Sequence, residues 1–417
     1  MKPWKIVLSL IVASVLAIGD QQPSHAADGK TETVLLGLTE LTSGIPGKGP
    51  LKLDDLKHWL SNEANHRVLE VTLPFGLSAG ASQIQGLKEN PMTRAKIELG
   101  RQLYFDTRLS ADNSVSCATC HHPDEGYARH TQFGIGIKGQ EGGRNSPVSY
   151  NRILSAAQFW DGRAGSLEEQ AIGPIANPIE MGNTHEQAVK TLRGIPGYAA
   201  QFAAVFGGKE PVTIQNVGQA IASFERVVVT GPSAFDYSEA LTPFAKLSQE
   251  DLDDLKEDSP EAFARYQQLK KNAAQKPMSA SALRGQKLFF SEAVNCAACH
   301  VGANLADEKY HNLGIGMEVK EPDVGRFAIT KDPKDWGAFK TPTIRNAALS
   351  APYMHDGSLK TLEEVVEHYA KGGTPNKGLS DKVKKLALTA EQKADLVEFM
   401  KTCTGAFPKV EQARLPE

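Results

Sequence analysis

Two copies of one short pattern, Cys-x-x-Cys-His, limit what this chain can be. They are Cys117-Ala-Thr-Cys120-His121 and Cys296-Ala-Ala-Cys299-His300. The spacing lets two thiols add to the two vinyl groups of one haem while the next histidine reaches the iron. A redox disulfide and a four-cysteine zinc site are the competing readings. Zinc has no need of a histidine directly after each pair, and a redox pair is expected once, in a βαβ setting. The repeated histidine therefore selects two covalently held c-type haems. Cys117, Cys120 and His121 hold the first; Cys296, Cys299 and His300 hold the second. The fifth cysteine, Cys403, sits in an apolar helix end and reads as a buried free thiol. His122 is offset from the ligand position and reads as a bystander.

The motifs belong to an internal repeat. Residues 147–171 (PVSYNRILSAAQFWDGRAGSLEEQA) parallel residues 342–366 (PTIRNAALSAPYMHDGSLKTLEEVV) at a constant offset of 195. Upstream, GRQLYF at 100–105 parallels GQKLFF at 285–290. The haem motifs themselves are offset by 179, so the second copy carries 16 extra residues, assigned to the loop at 319–336. Repetition on this scale is domain duplication rather than a solenoid. Strand signals are sparse, mostly at 67–73. The expected fold is mostly α, with two cytochrome c-like haem domains, at 72–240 and 278–417.

The remaining segments carry less. Lys2 and Lys5, the apolar run 6–18 and Ser24-His25-Ala26 form a secretory signal ending at residue 26; a membrane anchor would need about 20 apolar residues. Residues 27–71 form an N-terminal extension and 241–277 a charged, helix-prone connector. Both are expected as surface helices whose charges face solvent. The formal net charge of -3 gives no basic excess, which argues against nucleic acid as a partner. No membrane span is expected in the exported chain.

The repeated helices begin alike, at Ser166-Leu-Glu-Glu169 and Thr361-Leu-Glu-Glu364, both capping-box patterns. They then differ. The first runs into Gly173-Pro174, expected to break it. The second runs on to His368-Tyr369, and on the constant offset Pro174 matches Tyr369. Leu362, Val365, Val366 and Tyr369 share one helix face, so Tyr369 points inward and His368 lies about 100° away. Tyr369 is the candidate axial ligand of the second haem; Met317, Met354 and His368 are its rivals. Proline cannot ligate iron, so the first haem is expected to be open to a small molecule. Glu180, shortly after Pro174, is a candidate for moving a proton between peroxide oxygens.

These motifs resemble the bacterial dihaem cytochrome c peroxidase and MauG superfamily. The similarity rests on LGRQLYFDTRLSADNSVSCATCH, GGRNSP, FWDGRAGSLEEQAIGPIANPIEMG, LRGQKLFF, CAACH and FKTPTIRNAALSAPYMHDGSLKTLEEVVEHY, and spans residues 73–405. The resemblance implies two facing haem domains with the active haem in the first. It implies that Trp160 relays electrons between the haems and that Glu180 and Gln170 are the distal acid and its neighbouring glutamine. It implies a calcium ion held by Asn145 and the carbonyls of Ser350 and Pro352. In the cytochrome c peroxidases a histidine caps the active haem, and methionine ligates the second. Here Ile137 stands at the histidine position, His130 does not align with it, and Tyr369 stands at the methionine position. Both departures resemble MauG, which uses peroxide to oxidise both irons and then draws electrons from a protein substrate. The extension and the connector are unlike MauG.

The expectation is a periplasmic dihaem peroxidase with MauG-like ligation, taking hydrogen peroxide and an oxidisable protein. The alternatives are a conventional peroxidase fed by a small redox protein and a non-catalytic dihaem electron carrier.

Overall fold

A computed structural model describes residues 31–417; the expected signal segment lies outside the described residues. Strand β1 (Thr31–Leu35), helix α1 (Leu53–Leu60) and strand β2 (Val68–Thr72) open the chain. The first half continues with α2 (Arg94–Phe105), α3 (Cys117–Cys120), α4 (Leu167–Ala176), α5 (His185–Arg193), α6 (Pro196–Phe206), α7 (Ile214–Val227) and α8 (Ala234–Leu241). The connector forms α9 (Gln249–Asp258) and α10 (Pro260–Gln275). The second half holds α11 (Ala280–Phe289), β3 (Tyr310–His311), α12 (Phe327–Thr330), β4 (Phe339–Lys340), α13 (Leu362–Lys371) and α14 (Ala390–Thr402). The fold is mostly helical, as expected from the duplicated cytochrome-like units.

Each half is built on one close helix crossing. A Cβ on Gly100 of α2 would overlap the carbonyl oxygen of Ala220 on α7, with the Phe224 side chain 3.0 Å away. A Cβ on Gly285 of α11 would overlap the carbonyl oxygen of Asp395 on α14, with Phe399 at 2.9 Å. Only glycine lets the two backbones approach this closely. Around the first crossing Leu99, Leu103, Tyr104, Ile221 and Phe224 are buried; around the second, Phe289, Leu396 and Phe399 are.

The repeat is structural in detail. Asn151 and Asn346 share a left-handed turn, as do Phe159 and Met354. Helices α4 and α13 span matching residues, so Pro174 and Tyr369 occupy the same position. Ser166 and Thr361 cap their helices by accepting from the amides of Glu169 (3.1 Å) and Glu364 (3.2 Å). Glu169 and Glu364 then reach back to Gly165 and Lys360, one residue beyond the cap, rather than closing the expected box.

Three expectations need correction. Pro174 does not break α4, which runs on to Ala176. A proline in the last turn forfeits one amide, and the following loop uses the helix end: Met181 N donates to Pro174 O (3.2 Å) and Asn183 N to Ile175 O (2.9 Å). The extension is not only helical, since β1 pairs in parallel with β2, and Leu36, Leu51 and Leu56 are buried. The connector is helical but not simply a solvated face: Leu255, Ala262 and Leu269 form a small core with Phe244, against which Phe75 packs.

The chain end also crosses over. Leu51 N donates to Leu415 O (2.8 Å) and Glu411 N to Thr42 O (3.0 Å). Arg101, fully buried and paired with Glu98 at 2.7 Å, donates to the carbonyls of Glu411 (2.6 Å) and Arg414 (3.0 Å). Gly100→Ala should cost about 1–3 kcal/mol, because neither backbone can retreat without opening the core. A thermal scan of the haem-loaded protein should show a lowered midpoint; an unchanged midpoint would mean the crossing is looser than described.

Candidate haem sites and their shared cavity

One cavity of about 770 Å³ is lined by both Cys-x-x-Cys-His motifs. In the first half α3 carries Cys117 and Cys120, and Ser116 and Thr119 form a capping box in which the Ser116 amide donates to the Thr119 hydroxyl (2.9 Å). Burial lowers the His121 pKa to about 4 and also depresses that of His300, keeping both imidazoles neutral, the form that binds a metal. The Nδ1 atom of His300 contacts the Leu305 carbonyl (3.1 Å), which directs Nε2 elsewhere. The Nδ1 atom of His121 is buried and makes no hydrogen bond of good geometry. The four motif thiols are unpaired, and burial pushes them up, Cys296 to about 12. Unpaired thiols, neutral imidazoles and an apolar cavity between them are a donor set that fits haem c at both motifs.

The matching cavity-lining helix faces differ between the halves. On α4 the residues Leu167, Gln170, Ala171 and Pro174 line the cavity; on α13 the matching Leu362, Val365, Val366 and Tyr369 do. His368 turns away and contacts the Leu313 carbonyl (3.0 Å). Met317 packs against Gly337. Met354 lines the cavity, and so does Met400, which was not among the sequence candidates. Burial, then the two nearby thiols, push the Tyr369 phenol well above its ordinary value.

Glu180 lies in the loop that folds back from α4 and also lines the cavity. Asn177 Nδ2 donates to its Oε1 (2.8 Å). Burial raises its pKa, opposed by Arg163 and by the Asn177 hydrogen bond, so this acid holds its proton more firmly than a surface glutamate. The Ile137 amide donates to the Glu180 carbonyl (2.8 Å), while the Ile137 side chain is buried against Gly182 rather than over the cavity.

The two halves meet through reciprocal bonds. Asn145 N donates to His355 O and Lys340 N to Trp160 O, both at 2.8 Å. Asn145 and Lys340 match on the repeat offset, as do Trp160 and His355. Trp160 lines the cavity at this seam and donates through Nε1 to the Asn145 carbonyl (2.9 Å). The extra residues of the second copy reinforce it: Asp323 pairs with Arg144 (2.6 Å), and Arg326 donates to the Asp161 carbonyl (3.0 Å). Farther out, buried Arg345 pairs with Asp236 at 2.8 Å.

Several charged residues lining the cavity escaped the sequence reading: Arg144, Arg152, Arg163 and the buried Glu225 and Lys340. Arg152 stands where the second copy has Ala347, a difference visible in the aligned repeats. Glu225 lies outside them, because α7 and α14 share too few residues to align by eye. His122 accepts from the Asp124 amide (3.1 Å) in its own turn. Cys403 is fully buried and takes the place of Val228: their carbonyls accept from Asn346 and Asn151, respectively.

Duplicated cytochrome-like helices around one cavity with two haem-attachment motifs define a dihaem c-type protein. Residues 94–240 match the family model for di-haem cytochrome c peroxidase, and residues 282–404 match that for cytochrome c. The chain is 35% identical to the methylamine utilization protein MauG of Methylorubrum extorquens, over 79% of this chain and 84% of that one. It is 36% identical to the cytochrome c551 peroxidase of Nitrosomonas europaea, over 82% and 90%. A crystal structure of a MauG-like protein associated with microbial copper homeostasis superposes with a TM-score of 0.63 at 31% identity, covering 76% of this chain and 91% of that one. The chain belongs to the di-haem cytochrome c peroxidase family, and is an enzyme of that class: an oxidoreductase that acts on hydrogen peroxide and carries two haem c groups.

Replacing Cys296 and Cys299 with serine should leave one covalent haem per chain. Intact mass should fall by one haem relative to the parent; retention of both would refute covalent attachment at the second motif.

Proposed function

We propose that this enzyme reduces hydrogen peroxide at the first haem and draws electrons through the second, with MauG-like ligation and an oxidisable protein as the final electron source. The observation that carries this reading is the Pro174/Tyr369 pair: two superposed helices present an atom that cannot ligate in one half and a phenol oxygen in the other. The expected export signal at residues 1–26 supports a periplasmic location.

A haem held on one face by histidine supplies an iron that binds and reduces peroxide when its other face is open. His121 would hold that iron. Pro174 would offer that iron no ligating atom, and Ile137 is tucked against Gly182, away from the cavity. Glu180 holds a proton at its carboxyl and passes it between the peroxide oxygens; Asn177 fixes its orientation. Gln170, on the same wall, orders the pocket. His300 and Tyr369 would hold the second iron, and an anionic phenolate favours the oxidised metal over the reduced one. Trp160, hydrogen-bonded to Asn145 and held by Lys340, is the aromatic group at the seam through which the two sites exchange electrons.

Asn145, Ser350 and Pro352 all line the cavity, which is consistent with a shared cation. Asn145 Nδ2 donates to the carbonyls of Thr131 and Gln132 (3.1 Å each), which leaves Oδ1 for a cation. With two backbone carbonyls this is an all-oxygen set, suited to calcium with water completing the shell.

A second reading has methionine at the second haem and a small redox protein as donor. Met354 and Met400, which also line the cavity, favour it. Two substitutions separate the readings. Glu180→Gln should slow the reaction with peroxide by about 10²–10⁴-fold and leave the second haem's spectrum intact. Tyr369→Met should raise the second haem's potential and abolish its storage of an oxidising equivalent, while peroxide still binds. Stopped-flow mixing with one equivalent of peroxide reads both. If Tyr369→Met holds the same two-equivalent oxidised state as the parent, the methionine reading replaces this one. Exhaustive chelation should lower activity without releasing haem; unchanged activity and spectra would remove calcium from the account.

A further inference from the structure

The duplicated helix crossings align residues that the sequence repeat does not. Gly100 meets Ala220 and Phe224; Gly285 meets Asp395 and Phe399. On that correspondence the residue after each phenylalanine is Glu225 in the first half and Met400 in the second. Both line the shared cavity, and both are nearly inaccessible, at 5% and 6% exposure. The second haem therefore has an apolar thioether where the first has a carboxyl. Glu225 Oε2 has no hydrogen-bond partner. A buried, unpartnered acid is costly, and the second half shows that the crossing can be built without one.

The groups around Glu225 do not neutralise it. Arg152 spends its guanidinium on Gln158 (2.8 Å) and on the Ala157 carbonyl. Arg226 is paired with Glu168 of α4 (2.5 Å). Tyr104 of α2 contacts the His121 carbonyl and Ser149, both at 2.9 Å. Cys117 of α3 is close enough to feel its charge. Among the described residues no cation forms an ion pair with Glu225. Burial raises its pKa to about 8, opposed by Arg152 and Arg226 and assisted by Glu168. Near neutral pH the carboxyl is thus mostly protonated, and one added positive charge nearby would favour its ionisation.

We propose that Glu225 is a redox-linked proton group of the first haem, holding its proton while the iron is ferrous and releasing it when the iron becomes ferric. One electron leaves the iron for the redox partner, and the iron gains one positive charge. The O–H bond of Glu225 breaks, the proton passes to water, and the carboxylate charge stays in the cavity. The net charge of the buried compartment is unchanged, which matters where the effective dielectric is low. The inference rests on haem at Cys117–His121, and intact mass checks that loading independently.

Spectroelectrochemical titration of the haem-loaded protein at a series of pH values is the test. In the parent, the redox equilibrium constant of the first haem should shift about tenfold per pH unit, or about 59 mV for one electron, between the ferric-state and ferrous-state pKa values of Glu225. In Glu225→Gln that slope should vanish, and in Glu225→Asp it should return. The second haem, with Met400 at this place, should be unaffected by either change. If Glu225→Gln keeps the parental slope, the proposal is overturned. If that variant fails to load haem, an indicator dye in weakly buffered parent protein decides: about one proton should appear per first-haem oxidation, and none would overturn the proposal.

Discussion

Everything in this molecule hangs on two helix crossings that only glycine permits. At Gly100 and Gly285 one helix backbone rests on the carbonyl of its partner. This closeness lets the next inward residues, Ile221 and Leu396, reach the haem cavity from the helix behind. A side chain at either glycine would push the helices apart and move a wall of the cavity. The two haem compartments are copies because the two crossings are copies.

A symmetric frame makes the departures from symmetry interpretable. The reciprocal bonds of Asn145 with His355 and of Lys340 with Trp160 fix the two halves about their seam. On that frame the repeat matches Pro174 with Tyr369, and the helix crossings match Glu225 with Met400. In each pair the first half lines the cavity with a ring that has no ligating atom or with an acid, and the second with a phenol or a thioether. The 16 added residues of the second copy break the symmetry again, clamping Arg144 and Asp161 from the far side through Asp323 and Arg326.

The sequence exposed this plan where chemistry fixes spacing. The attachment motifs and the α4/α13 repeat were legible because cysteine spacing and helix periodicity are local. The inward face of α13 was legible for the same reason, and the structure puts Tyr369 on the cavity and His368 off it. Charges and chain crossings were not legible. Glu225 looked like any glutamate in a helix, because its burial is set by α2, more than a hundred residues away. The C-terminal tail gave no sign that it returns to the extension, since the two are joined by backbone bonds, Leu51 to Leu415 and Glu411 to Thr42, that leave no side-chain pattern. Pro174 misled because it removes only its own amide from the ladder, and α4 runs two residues further with its end carbonyls taken up by the next loop.

The central claim is that the two haems differ at their second axial position, one open and one ligated by Tyr369. Electron paramagnetic resonance of the resting ferric protein tests it most directly. The account predicts one high-spin signal from the His121 haem, with a separate low-spin or mixed-spin signal from the His300 haem that Tyr369→Met alters. Two low-spin signals at rest would contradict it, because both irons would then carry two protein ligands and neither would be free to meet peroxide.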